Sequence, residues 1–366
     1  MFLNFFFSTL NWNSNPTAFT LPYFDLEVRW YGLFFVAGFY IGYLMVEKKV
    51  RNLVSSSFYL RDIKSADFFN EELEGLLVKN NEESKLFKTA FSHNQNLDKS
   101  KLFNKLNTLL IENPSRITKT FFLNAFPKTL FSPKELSNYF SDHLLWYLVL
   151  GTVIGARLGH VFFYEWPYYQ NNLLAIFNIR EGGLASHGGT IGVLFALFLF
   201  SQTTLKRFPE LSLFKLMDIL TVPVALVVSF IRLGNFFNQE ILGKPTDLPW
   251  SVLFQSPASG ESLVPRHPVQ LYESLAYFLS FLFLFFLPEN KLKEGQKAGI
   301  FLILIFGSRF FLEYLKEPPT ALVFSETTLL TGQLLSIPFV ALGFYFYIRN
   351  RKSPPSFKKQ GNSHVN

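Results

Sequence analysis

At 366 residues, 49% hydrophobic and 18% aromatic, with 46 Phe, the chain holds more apolar side chain than one soluble core of this length can hide; this excludes an ordinary globular domain and points to lipid as the main solvent. The formal charge of +7 lies mostly beside the apolar runs and in the C-terminal tail, so it carries no implication of nucleic-acid binding. The absence of cysteine excludes disulfides, thiolate metal ligands and a thiol nucleophile supplied by the protein itself.

The N-terminal "MFLNFFFSTL" has neither a basic start nor a small-residue cleavage site, so the first crossing is expected to act as its own insertion signal. Apolar stretches follow at 32–46, 144–164, 190–204, 213–231, 271–287, 298–315 and 329–348, several of them near the ~20 residues that span a bilayer. These predict an all-α, polytopic integral membrane protein of about seven transmembrane helices. The stretches 32–46 and 190–204 are short, and reach spanning length only with Trp30, Tyr31 and the Gly-rich "HGGTIGV" included.

Lys and Arg beside the spans set orientation. "EKKVR" (47–51), "KR" (206–207), "ENKLKEGQK" (289–297) and "RNRK" (349–352) follow the first, third, fifth and seventh stretches. The N-terminus is therefore expected outside and the C-terminus in the cytoplasm, with "WPYYQNN", the 232–270 loop and "EPPTALVFSETT" facing outward. Trp166, Tyr168 and Tyr169 suit an interfacial belt on that side.

Residues 47–142 interrupt the single membrane domain of 1–366 with Lys, Glu, Asn and Ser, and are read as a cytoplasmic insertion between the first two crossings. "SADFFNEELEGLLVKNNEESKLFKTAF" has roughly helical apolar spacing. Two readings stay open: helices that form a small domain or lie on the membrane surface, and a weakly ordered connector. The tail 353–366 is expected to be disordered.

Ionisable groups at membrane depth cost about 2.5–3.5 kcal/mol on insertion scales, so they ordinarily face a cavity or a partner. Arg157, His160, His187, Asp218, Arg232, Glu240, Glu273, Arg309 and Glu313 stand inside or at the ends of the spans. On the expected topology Tyr31, His187, Arg232, Glu273 and Arg309 fall toward the outer face and Asp218 toward the inner one. Arginines gathered there suit an anionic lipid, because the planar guanidinium donates two parallel hydrogen bonds to phosphate and keeps its charge. The competing reading is a pair of buried Arg–Glu bridges, with Arg309 and Glu313 one helical turn apart. In "GGLASHGGTIGV" (182–193), glycines flank His187 closely. They allow backbone to approach a ligand or another helix, or a helix to break, and an imidazole there is either a satisfied buried residue or a base. The six His are dispersed and no Gly-rich phosphate loop follows a strand, so no metal and no cofactor is expected.

Taken together, "RWYGLFFVAGF" (29–39), "GARLGHVFFY" (155–164), "GGLASHGGTIGV" (182–193), "RLGNFFNQEILG" (232–243), "RHPVQLYE" (266–273), "RFFLEYLKEP" (309–318) and "GQLLSIP" (332–338) resemble the prolipoprotein diacylglyceryl transferase family, in the family's order. The resemblance implies a bacterial cytoplasmic (inner) membrane enzyme with its active site toward the outer face. It moves the diacylglyceryl group of phosphatidylglycerol to the lipobox cysteine thiol of a preprolipoprotein signal peptide. A thioether forms and glycerol phosphate leaves, without metal or nucleotide. It further implies that Arg232 binds phosphatidylglycerol with Asn235, Glu240 and Gly243 beside it and Glu273 from "QLYE". His187, Tyr31 and Arg309 take the catalytic positions.

The sequence departs from the family pattern at Ile305, where a tyrosine often stands four residues before the second arginine, at His160, usually Tyr or another aromatic, and at Lys316, usually Arg. The 47–142 segment is far longer than the family's loop. The alternatives to the transferase are a transporter or channel for an anionic solute, which would show inverted internal similarity, and a non-catalytic membrane scaffold, in which His187 would tolerate substitution.

Overall fold

The computed structural model describes residues 9–23, 26–55, 59–60, 65–79, 81–91, 99–114, 117–163, 165–178, 185–208, 211–258, 260, 262–317 and 329–349. The expected tail, 353–366, lies outside them. The chain forms two compact units, Met1–Val46 with Leu205–Asn366, and Glu47–Thr204.

In the first unit, three short strands, β1 (Leu10–Trp12), β2 (Thr17–Leu21) and β3 (Leu26–Arg29), precede α1 (Trp30–Val54), whose last residues pass into the second unit. β2 and β3 form an antiparallel hairpin, and β1 pairs in parallel with β4 (Val252–Phe254). The remaining elements are α9 (Leu213–Phe237), α10 (Val269–Phe286), α11 (Gln296–Leu312) and α12 (Thr331–Ile348). Ser212 starts α9 by accepting a hydrogen bond from Lys215 N at 3.0 Å. Asp218, the acid expected near the inner side, caps α11: its two carboxylate oxygens accept from Gly295 N at 2.7 Å and Ala298 N at 2.8 Å. That use of a buried carboxylate satisfies amides that no residue of α11 can reach.

The second unit contains α2 (Ser65–Leu77), α3 (Glu82–Phe91), α4 (Lys99–Glu112), α5 (Lys119–Ala125), α6 (Pro133–Phe163), the short α7 (Trp166–Tyr169) and α8 (Ser186–Gln202). Among the described residues of 47–142, Phe69, Phe87, Phe91, Leu102, Leu106, Phe122, Phe126 and Leu130 belong to one buried hydrophobic core cluster. Glu72 ties α2 to the end of that core, accepting from Lys128 N at 2.6 Å and Thr129 Oγ1 at 2.7 Å.

α6 and α8 pack through glycine. A Cβ on Gly155 would lie 2.4 Å from Gly188 O and 2.7 Å from Gly192 Cα, so the backbones meet where no other residue fits. The Gly-rich stretch around His187 thus serves helix packing, and α8 runs unbroken from Ser186. Arg157, buried on α6, donates from Nε to Ile176 O at 2.8 Å and from Nη2 to Ala175 O at 2.6 Å and Asn178 O at 3.0 Å. Its charge helps to fix the backbone at residues 175, 176 and 178.

Each of the seven apolar stretches forms a helix, and the chain is a multi-pass membrane protein. Six are long and apolar enough to cross a membrane: α1, α6, residues 188–207, α9, α10 and residues 296–315. The seventh, Gly332–Ile348, is shorter. Its 17 residues rise about 26 Å at 1.5 Å each, under the ~30 Å of a hydrocarbon core. The count of seven crossings therefore rests on a helix that is short for a span.

Candidate active site

The polar end of α9 and the turn after it carry the site. Gln239 (φ 54°) and Ile241 (φ 55°) take left-handed backbone on either side of Glu240, a conformation that residues with side chains seldom adopt and that surrounding structure must impose. Here Glu240 N donates to Asn235 O at 2.9 Å and Gln270 Nε2 donates to Glu240 O at 2.7 Å. The buried Gln239 side chain accepts from Ser256 N at 2.8 Å and donates to Ser14 O at 3.2 Å.

This turn presents the Glu240 carboxylate to two amides, Asn235 Nδ2 and Asn238 Nδ2, each at 3.0 Å. A carboxylate only accepts, so both amide orientations are set by chemistry. Asn235 Oδ1 consequently faces Arg232 and accepts from its Nη1 at 3.1 Å. The guanidinium is held on its other side by α10: Arg232 Nε lies 3.1 Å from Glu273 Oε2, a charge contact without an aligned hydrogen bond at that oxygen. Glu273 has no exposed surface. Its second oxygen, Oε1, accepts from Tyr277 Oη at 3.3 Å and lies 2.9 Å from Lys316 Nζ.

Tyr31 enters from α1, which approaches α9 closely because residue 234 is glycine. A Cβ there would lie 3.0 Å from Tyr31 Cα. Tyr31 is within electrostatic reach of Arg232 and Glu240. Gly243 is needed for another close approach: a Cβ would sit 2.3 Å from His267 O and 2.7 Å from His267 Cβ.

Arg309 occupies the last turn of α11. The bridge to Glu313 that its spacing offers is not made. Glu313 Oε2 lies 3.0 Å from Lys316 Nζ instead, and among the described residues Arg309 forms no ion pair, although its charge acts on Glu273. Ile305, where the family pattern often has tyrosine, is a buried apolar residue of the same helix.

The fold therefore gathers Tyr31, Arg232, Asn235, Glu240, Gly243, Glu273 and Arg309 in the first unit. His187 is the second residue of α8, in the second unit, and its side chain lies outside the described residues. Two participants, Gln270 and Arg266, were not singled out from sequence, and Lys316 was noted there only as a departure from the family pattern. Gln270 supports the Glu240 turn. Arg266, nearly fully buried, donates from Nη1 to Gly243 O at 3.0 Å and to Glu317 Oε2 at 2.8 Å. Lys316 pairs with two acids. Gln270 and Arg266 lie within "RHPVQLYE", so their signal was proximity to Glu273. Beside Gly243, burial pushes the His267 imidazole below its ordinary range, and its buried Nδ1 has no partner among the described residues. Among the described residues no group of three or more His, Asp or Glu could hold a metal ion.

Such a site offers a guanidinium locked in plane by an amide and a carboxylate, and a second one with no acid paired to it among the described residues, which is chemistry for an oxyanion. The family model described as prolipoprotein diacylglyceryl transferase matches residues 120–349. A phosphatidylglycerol–prolipoprotein diacylglyceryl transferase of Protochlamydia amoebophila is 41% identical, over 91% of this chain and 93% of its own. Proteins of the same name from Tolumonas auensis and Porphyromonas gingivalis are 44% and 40% identical, over 58% and 62% of this chain and 79% and 83% of theirs. With the motifs, the membrane helices and these matches in accord, the chain belongs to the prolipoprotein diacylglyceryl transferase family.

Proposed function

We propose that Arg232 and Arg309 hold the phosphate of phosphatidylglycerol while the chain carries out its family's reaction. That reaction is the transfer of the diacylglyceryl group to a prolipoprotein, the first step of lipoprotein maturation. The observation that carries the proposal is the contrast between the two arginines: Arg232 is fixed by Asn235 and Glu273, and Arg309 has no acid paired to it among the described residues. Glu273, expected among the lipid-binding residues, has both oxygens turned to cations and no surface, so its part is to orient Arg232 rather than to touch lipid.

His187 takes the proton from the lipobox cysteine of the signal peptide, because the thiolate is the nucleophile and an ordinary thiol is mostly protonated at neutral pH. Its sulfur attacks the glycerol carbon bonded to the phosphate oxygen. The C–O bond breaks, a thioether forms, and both electrons of the broken bond leave with glycerol phosphate. Arg232 and Arg309 stabilise the charge that grows on that leaving group. Tyr31 faces the same cation and supports the approach, and Asn235, Glu240 and Gly243 keep the turn that aims Arg232. The reaction takes place at the outer face of the bacterial cytoplasmic membrane, on the side to which the charge pattern assigns the end of α9.

The test is thioether lipidation of a lipobox peptide in phosphatidylglycerol vesicles. Losing one well-placed donor to a developing oxyanion costs about 3 kcal/mol, roughly a hundredfold in rate. Arg232→Ala and Arg309→Ala are each expected to lose that much, and His187→Ala to lose transfer. Near-normal transfer by Arg232→Ala removes the phosphate assignment, and near-normal transfer by His187→Ala removes the base.

A further inference from the structure

We propose that Lys316 is a positioning residue that keeps Arg309 free for the lipid phosphate by occupying the carboxylate that would otherwise pair with it. The proposal rests on the reading above, in which Arg309 contacts that phosphate.

Glu313 follows Arg309 by four residues at the end of α11, the spacing at which opposite charges on one helix ordinarily meet. It meets Lys316 instead. Lys316 Nζ lies 3.0 Å from Glu313 Oε2 and 2.9 Å from Glu273 Oε1, so one ammonium is shared by two acids. The lysine side chain is 9% exposed and Glu313 14%, so solvent screens this triad little.

Backbone geometry, rather than the flexible lysine stem, sets the position of the ammonium. The helical end tightens after Leu312 into a short turn, Glu313–Leu315, closed by Lys316 N donating to Glu313 O at 3.1 Å. The segment then pairs with the loop that follows α9: Lys244 N donates to Leu315 O at 2.8 Å and Glu317 N to Leu242 O at 3.0 Å. Arg266, pinned to Gly243 O, holds Glu317 from the same side. Glu313 is confined from the other direction by α12, since a Cβ at Gly332 would lie 2.2 Å from its carboxyl carbon. The loop bearing Glu240 and Gly243 therefore places Lys316, and Lys316 selects the partner of Glu313.

The electrostatic consequence is a competition. Without the ammonium, Glu273 keeps Arg232 and the charge of Arg309, and the nearest remaining cation to Glu313 in sequence is Arg309, which has no acid paired to it among the described residues. An incoming phosphate must then displace a carboxylate from Arg309 before binding. An arginine in place of Lys316 keeps this function, because what matters is a cation at that point rather than the shape of its head.

The test measures KM and kcat with phosphatidylglycerol varied in mole fraction in phosphatidylcholine vesicles, for wild type, Lys316→Gln, Lys316→Arg, Glu313→Gln and the Lys316→Gln/Glu313→Gln double variant. Lys316→Gln is expected to raise KM for phosphatidylglycerol about tenfold, the scale of one part-buried charge pair, with kcat changed less. Lys316→Arg stays near wild type. The double variant returns to within about twofold of Glu313→Gln alone, because the two changes act through one contact and are non-additive. A double variant as impaired as Lys316→Gln, or a Lys316→Gln variant that loses kcat at unchanged KM, overturns the proposal and leaves the phosphate reading standing. An Arg309→Gln variant with unchanged KM overturns the phosphate reading and this proposal with it. If Lys316→Gln does not fold, Lys316→Met paired with Glu313→Gln carries the same test: a double variant with the KM of Glu313→Gln alone supports the shared contact, and additive KM increases remove it.

Discussion

Arg232 Nε lies 3.1 Å from Glu273 Oε2 across the contact between α9 and α10, and Glu273 has no exposed surface. A buried carboxylate of this kind is stable only while cations stay with it, since desolvation of an ion costs several kcal/mol. Arg232 and Lys316 meet that cost here, and in return the guanidinium is held in one plane. The arrangement makes the pair an orienting device before it is a source of stability.

Glu273→Ala leaves the part-buried Arg232 and the buried Lys316 without their common acid. Breaking a buried pair from one side costs about 3–5 kcal/mol, so the variant is expected to unfold at clearly lower temperature or denaturant in detergent, and to lose transfer activity. Chemical denaturation of the purified variant checks this. A loss below about 1 kcal/mol would mean that other groups position Arg232.

Gly155→Val places a side chain where the Cβ alone would stand 2.4 Å from Gly188 O and 2.7 Å from Gly192 Cα. α6 and α8 must separate, and overpacking of this kind costs about 1–3 kcal/mol or more. Gly75→Ala in α2 is the contrasting case, with nothing within 4 Å of the added Cβ. It is expected to be neutral or to stabilise by up to about 1 kcal/mol, because alanine has less freedom to lose in a helix. Thermal unfolding of both variants under one condition reads the difference.

Burial holds the His267 imidazole below its ordinary pKa, which is about 6.5 when unperturbed. The unfolded chain then binds the proton more readily than the folded one. His267 therefore leaves stability intact above about pH 6.5 and lowers it as the pH falls from there toward the depressed folded value. His267→Gln removes this acid sensitivity while keeping a polar side chain of similar reach. Unfolding followed between pH 7.5 and 5 is expected to show a shallower decline for the variant, and equal declines would assign the sensitivity to another group.

Much of the architecture was legible in the residue order. Seven apolar stretches form helices where hydropathy placed them, and the segment 65–91, whose apolar spacing read as roughly helical, contains α2 and α3. Other residues read less directly. The glycines around His187 left open a ligand, another helix or a broken helix, and of these the close approach to another helix is what they make, seating α8 on α6. Asp218 and Arg157, ionisable at membrane depth, were expected to face a cavity or a partner. One caps α11 and the other holds the carbonyls of residues 175–178. Burial and charge identify where a partner is needed but do not name the partner.

The order of residues by itself determined the membrane class, the positions of the helices and the family, because hydropathy, spacing and short motifs are properties of neighbours along the chain. Only the tertiary structure decided who pairs with whom. Sequence spacing offered Glu313 to Arg309 as an i,i+4 bridge, and the fold assigned it to Lys316 together with Glu273. Coulomb interactions follow distance through space. The segments that meet at Lys316 start from Leu242, Arg266, Glu273 and Glu313, and folding alone brings them within a few ångströms.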